Sequence, residues 1–152
     1  MPIDISAETI KDIAENLEMG MNCWYNVKTG KLLTAPDRYK NFDIDDEIWE
    51  EVFSEIESGM DESIRFSGLK SHEEFKIMES FVEDEVSNPA DRSKLFYALN
   101  QRKPFMQFKS AIHYDNVYLE KWYAYRLNWY INHVSQELAY YNSNIDSVNN
   151  LK

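Results

Sequence analysis

Apolar residues recur at three- and four-residue intervals over residues 7–18, where Ile10, Ile13, Ala14 and Leu17 share one face between Ser6 and Gly20. This spacing predicts a first helix with Ser6 in front of it and a stop at the glycine. The pattern then switches to two β-prone runs, Cys23-Trp24-Tyr25-Asn26-Val27 and Lys31-Leu32-Leu33-Thr34, joined by Lys28-Thr29-Gly30. A hairpin over residues 22–34 follows, with Gly30 free to take the positive φ of its turn. Helical spacing returns in Ile48, Trp49, Val52, Phe53 and Ile56, predicting a helix from Asp45 to Ser58 that begins with the acids its dipole favours. Ser63-Ile64-Arg65-Phe66 alternates polar and apolar, the period of a third, edge-adjacent strand.

Beyond residue 70 every pattern is helical. Ser71-His72-Glu73-Glu74 has the Ser-x-x-Glu form of a capping box and opens a helix through Phe75, Met78 and Val82. Asn88-Pro89 offers an N-cap followed by proline at the first helical position, ahead of Leu95, Phe96 and Leu99. Pro104 starts another helix with Phe105, Phe108 and Ile112 on one side, ending near Tyr114-Asp115-Asn116. A last helix of roughly 25 residues runs to about Tyr141, and the polar stretch 142–152 reads as a frayed tail behind a single domain of residues 1–141. The expected fold class is α+β: a small antiparallel sheet, hairpin plus one strand, covered by a mainly helical C-terminal half.

Charge changes the picture more than composition does. The 152 residues carry 27 Asp+Glu against 16 Lys+Arg, a net charge of −11, which repels DNA, RNA and anionic lipid and disfavours nucleic acid as a partner. The imbalance is local, however. Residues 43–91 hold 17 acids and 3 bases, a net of −14, whereas residues 92–133 hold 7 bases and 2 acids, a net of +5. One reading docks the basic helices on the acidic middle and leaves the surplus carboxylates solvated. The sharper readings are an anion-binding surface around Arg102, Lys103, Lys109, Lys121 and Arg126, or an acidic surface offered to a basic partner. Tyr123 and Tyr130 could stack on bases if the basic helices overcame the repulsion. The single cysteine, Cys23, permits no internal disulfide and suits a reducing cytoplasm. No apolar run approaches a bilayer span, and Met1-Pro2-Ile3-Asp4-Ile5 is no export signal.

Phe105-Met106-Gln107-Phe108-Lys109 and Trp122-Tyr123-Ala124-Tyr125-Arg126 resemble the corresponding elements of a bacterial family catalogued as uncharacterised protein family 0158. The likeness extends to Glu74-Phe75-Lys76-Ile77-Met78-Glu79, to the Tyr25…Thr29-Gly30 hairpin and to the order of elements, covering most of residues 6–138. It implies a small bacterial cytoplasmic protein and carries no assigned activity, substrate or cofactor. The chain departs from the family at Arg102-Lys103-Pro104, where glycine is frequent, which alters the entry of the following helix. It departs again at Tyr125, where phenylalanine is more usual.

On the last helix Trp122, Tyr125, Arg126 and Trp129 share one face, and Leu127, Ile131, Val134 and Leu138 form an aliphatic face about 140° away. Two readings stand open. In the first, Trp122 and the phenylalanines are core while Lys109 and Arg126 bury their stems and pair with carboxylates of the acidic half. In the second, the same rings and cations wall a pocket for a carboxylate or phosphate, with Arg126 as a bidentate fork.

Catalytic motifs are not legible. His72, His113 and His133 sit in no nucleophile motif, and one His113/Asp115 pair is too little for a metal site. Adjacent carboxylates such as Asp45/Asp46 and Glu50/Glu51 diverge around a helix, and the isolated glycines form no phosphate loop. Cys23 lies in a predicted strand without a basic neighbour and reads as a buried residue. No catalytic residue, metal or cofactor is therefore assigned, and an enzyme is not the leading reading. The expected function is an intracellular protein-interaction module with an acidic middle and a basic aromatic C-terminal half. The alternative is a binder of a small anion or metabolite, with Lys109 and Arg126 in the site. Arg102, Lys103, Lys109, Trp122 and Arg126 are the candidate site residues, another protein or a small anion the candidate partner, and the oligomeric state is left open.

Overall fold

Ser6 Oγ accepts the Thr9 backbone N–H at 3.1 Å, and this cap opens α1 (Ala7–Glu18). The structure, a computed structural model, describes residues 2–37, 46–115 and 117–150. Helix α1 is followed by β1 (Met21–Asn26) and β2 (Leu32–Pro36), by α2 (Asp46–Ser58), a 3₁₀ turn at Met60–Glu62, and β3 (Ser63–Phe66). Then come α3 (Ser71–Glu85), α4 (Pro89–Leu99), α5 (Pro104–Asp115) and α6 (Leu119–Asn150). The fold is α+β, a three-stranded antiparallel sheet followed by a mainly helical half. The expected start of α2 at Asp45 and the break at Asn116 lie outside the described residues.

The sheet has the order β2-β1-β3, so β3 is an edge strand as its short alternation predicted. Gly30 takes φ 73° in the hairpin turn, and Asn26 Oδ1 accepts the N–H groups of Lys28 and Thr29 at 2.9 and 3.0 Å. Trp24 stands opposite Leu33 on one side and Arg65 on the other. Because alternate residues face opposite ways, Cys23 and Phe66 share the second face. Helix α1 lies against β1 with Ile13, Ala14 and Leu17 buried, and Ile13 O is 4.0 Å from Cys23 Sγ. On the opposite face α2 packs Val52, Phe53 and Ile56 against Trp24, Leu33 and Ala35. Strand β1 is thus covered on both sides.

The chain forms two compact units. One is made of residues 1–68 and 130–152 and contains the sheet; the other is residues 69–129 and is wholly helical where described. The core of the helical unit joins Met78, Phe81 and Val82 of α3, Leu95 and Leu99 of α4, and Phe108 and Ile112 of α5, with Trp122 and Tyr125 packed against them. Phe81 meets Trp122 and Tyr125 edge-on at 5.3 Å, and Phe108 meets Trp122 at 5.0 Å.

Three local expectations are corrected. The helix at residue 71 is entered one residue early: the Glu73 carboxylate, not that of Glu74, accepts the Lys70 N–H at 3.3 Å. Glu74 is withheld from that role by its pairing with Arg126. Phe105 is 43% exposed and does not join the Phe108–Ile112 stripe, which sits one turn further along. Finally, α6 continues through residues 142–150 instead of fraying after Tyr141. Asn142 explains part of this, since its Oδ1 accepts the Ile3 N–H at 2.8 Å and its Nδ2 donates to Ile3 O at 2.9 Å. A side-chain amide here pairs with a peptide group as a neighbouring strand would.

Arg92 closes the C-terminal end of α3. Its Nη1 donates to the carbonyls of Val82, Glu83 and Val86 at 3.2, 3.0 and 3.1 Å, where the helix ladder runs out. Arg92→Met should lower the unfolding free energy by about 2 kcal/mol in urea titrations. Arg92→Lys should recover only part of it, because an ammonium lacks the fixed fork.

Cys23 is fully buried, and burial, aided by the charge of Asp12, pushes its thiol up to about 12. A thiol raised in the folded state stabilises it below the unfolded pKa, and that stabilisation is lost as pH rises from about 9 toward 12. At pH 8 the native thiol should react with a disulfide reagent roughly 1000-fold more slowly than the unfolded chain. Above pH 9 the alkaline loss of stability should be shallower in Cys23→Ala.

Candidate functional site

The anticipated cluster of cations and rings is divided by burial. Arg126, one turn after Trp122 on α6, directs its fork onto Glu74 of α3, with Nη2 to Oε1 at 3.1 Å and Nε to Oε2 at 3.4 Å. Their side chains are 29% and 18% exposed, so the pair sits in a partly desolvated place. Trp122 is wedged between Phe81 and Phe108. Tyr125 donates its hydroxyl to Asp84 Oδ2 at 3.0 Å; burial, with the Asp84 carboxylate adding to it, raises that phenol above the ordinary tyrosine range. Tyr118 donates likewise to Asp91 Oδ2 at 2.7 Å. The Arg126 and Tyr125 contacts fasten α6 to α3, Trp122 adds α5 through Phe108, and Tyr118, just before α6, ties to α4.

Arg102, Lys103 and Lys109 are exposed and lie along the entry and outer face of α5. Lys103 adopts φ 53°, the only positive φ of a non-glycine among the described residues. Left-handed backbone is where an L-residue is strained. Lys109 therefore does not share the setting of Trp122 and Arg126.

Sequence reasoning missed a second grouping. A groove of about 470 Å³ opens between α4 and α5, lined by Lys94, Tyr97 and Ala98 from the first helix and Gln107, Ala111 and Tyr114 from the second. Tyr97 is 68% and Tyr114 83% exposed, and the Lys94 ammonium lies 4.8 Å from the centre of the Tyr114 ring. The available signal was weak: Tyr97 and Tyr114 fall off the apolar stripes of their helices, as large rings spent on solvent do. Tyr130, by contrast, offered above as a base-stacking ring, is 1% exposed and belongs to the interior, which removes it from any such role.

Among the described residues no three His, Cys, Asp or Glu side chains gather where a metal ion could be held. His133 lies 3.0 Å from the Ser67 carbonyl oxygen, and His113 faces Tyr123 ring to ring at 6.4 Å. No helix of the described residues is long and apolar enough to cross a membrane.

The Arg126–Glu74 pair gives a direct test of the division. Arg126→Met should cost about 1–2 kcal/mol of stability, and a double-mutant cycle with Glu74→Gln should return a coupling of about 1 kcal/mol. Additive losses would show that the fork holds nothing in place.

No curated protein and no solved structure matches the chain. The model of one family, described as an uncharacterised protein family, UPF0158, matches residues 5–140. That stretch takes in the sheet, the α3 helix with its carboxylates, the tyrosine-lined groove and most of α6. The chain belongs to the uncharacterised protein family UPF0158.

Proposed function

We propose that the protein is a non-enzymatic interaction module of the bacterial cytoplasm, and that its α4–α5 face receives an acidic segment of a partner protein. The observation that carries this reading is charge: residues 92–114 contain five Lys+Arg and no Asp or Glu, inside a chain of net charge −11. Arg92 is occupied at the end of α3, while Lys94 on α4, Arg102 and Lys103 in the connection that follows it, and Lys109 on α5 are exposed. Exposed tyrosines at 97 and 114 supply rigid, amphipathic contact area of the kind enriched at protein interfaces. An acidic segment with an apolar side chain between its carboxylates meets both demands at once. A single cysteine, inert by burial, suits a reducing compartment. A small-anion site built on Arg126 is less favoured because Glu74 already fills its fork.

A photo-crosslinking residue placed at Tyr114 tests this in cells of the source organism, with Met19, 70% exposed, as the control position. Position 114 should yield an adduct with an acidic protein that position 19 does not. The adduct should fade with salt and vanish in Lys94→Glu/Lys109→Glu while the melting temperature stays unchanged. An adduct of the chain with itself, with nucleic acid, or equally from both positions would overturn the reading.

A further inference from the structure

Strand β1 is the central strand of the sheet, covered by α1 on one face and α2 on the other, where branched and aromatic residues pack best. Yet it carries Asn22, which is 5% exposed and whose Oδ1 has no hydrogen-bond partner among the described residues. Two residues on, and so on the same face, Trp24 is 8% exposed and its Nε1–H also lacks a partner. Unmet buried polar groups are costly and rare, and two side by side on one strand depart from local consistency as binding sites do.

Both residues line a cleft of about 250 Å³. Arg65, paired with Trp24 across the ladder, holds its guanidinium carbon 5.8 Å from the centre of the indole ring. Asp37 and Glu57 bring carboxylates to the lining, and Phe53 and Met60 bring apolar surface. The lining residues thus carry donors in the Trp24 indole and the Arg65 guanidinium, and acceptors in the Asn22 amide oxygen and the Glu57 carboxylate; the Asn22 and Trp24 polar atoms are closed to water and are reached only when a neighbouring side chain gives way.

We propose that this cleft binds a small zwitterion of the α-amino-acid class with an apolar side chain. Its carboxylate takes the Trp24 N–H and the Arg65 fork, and its ammonium takes Asn22 Oδ1 and a carboxylate. Its side chain lies against Phe53 and Met60. A bare anion would leave Asn22 Oδ1 unmet and face Asp37 and Glu57. A bare amine would leave the Trp24 N–H unmet and face Arg65. A molecule that carries both charges two bonds apart meets this pair together with the Arg65 guanidinium and a carboxylate of the lining. The volume suits a free amino acid and excludes a nucleotide. Met60, 50% exposed and unbranched, is the side chain able to give way on entry.

The probes are leucine and phenylalanine, with isopentylamine and 4-methylpentanoate as single-charge controls. In ¹H–¹⁵N spectra of the full chain, the indole resonance assigned to Trp24 through Trp24→Phe should move on titration with the amino acids and stay fixed with either control. Arg65→Gln, an exposed substitution, should weaken binding roughly tenfold or more without lowering the melting temperature. Asn22→Leu should abolish binding while holding or raising that temperature, since it removes an unmet acceptor. An indole resonance unmoved at millimolar amino acid would overturn the proposal. So would a response to the amine or the acid alone, or binding that survives Arg65→Gln undiminished.

Discussion

Helix α3 cannot be packed without finding partners for its charges, and much of the helical unit answers that one demand. Its stripe of Met78, Phe81 and Val82 goes into a core of aromatic and aliphatic side chains, while Glu74 and Asp84 flank the stripe. A carboxylate as shielded as Glu74, whose side chain is 18% exposed, must be paired beside a low-dielectric interior. Arg126 meets Glu74, Tyr125 meets Asp84, and Arg92 meets the carbonyls at the end of the helix. Three residues of the basic half thus make it possible to bury the acidic helix. Trp122, edge-on between Phe81 and Phe108, fills the space that these polar contacts enclose.

The sheet is governed by a different constraint. With only three strands it must be covered on both faces to be stable, and α1 and α2 do this with separate sets of residues. The first face is uniform: Ile13, Ala14 and Leu17 against Cys23 and Phe66, all buried. On the second, α2 covers Leu33, Ala35 and Trp24, and the cleft with its amide and indole groups opens beside it. Glu55 pairs with Lys31 of the hairpin, and Glu62, just beyond α2, pairs with Lys28.

What the sequence discloses follows from how local each cause is. The α1 cap at Ser6, the Gly30 turn, the Asn88-Pro89 start and the period of each helix depend on a few neighbouring residues, and they are legible. The capping box at residue 71 is misplaced by one because Glu74 is claimed by Arg126, a residue 52 positions away. The end of α6 is likewise missed, because Asn142 reads as a turn former until Ile3 is beside it. Phe105 illustrates a further limit: three-residue spacing alone does not decide which of two neighbouring stripes faces the core. Of the candidate residues, Arg126 and Trp122 are foreseeable as packing, since rings and paired cations at helical spacing are the common interior pattern. The cleft at Asn22 is not foreseeable, because it is made where strands and a helix distant in the pattern meet, and the groove at Tyr97 depends on how two successive helices pack.

The overall acidity of the chain is a poor guide to its partners. The helical unit, residues 69–129, contains nine acids and nine bases, so the entire net charge of −11 belongs to the sheet unit. Within the helical unit the two signs are also separated along the chain, with seven of the nine acids at or before Asp91 and seven of the nine bases after it. The acids nearest the core are those already matched by Arg126, Tyr125 and Tyr118, whereas Lys94, Arg102, Lys103 and Lys109 face solvent. At physiological ionic strength a surface charge is felt over only about 8 Å. A charged segment meeting α4 and α5 therefore responds to the residues it touches and not to the total, and the stretch 92–114 carries five bases and no acid.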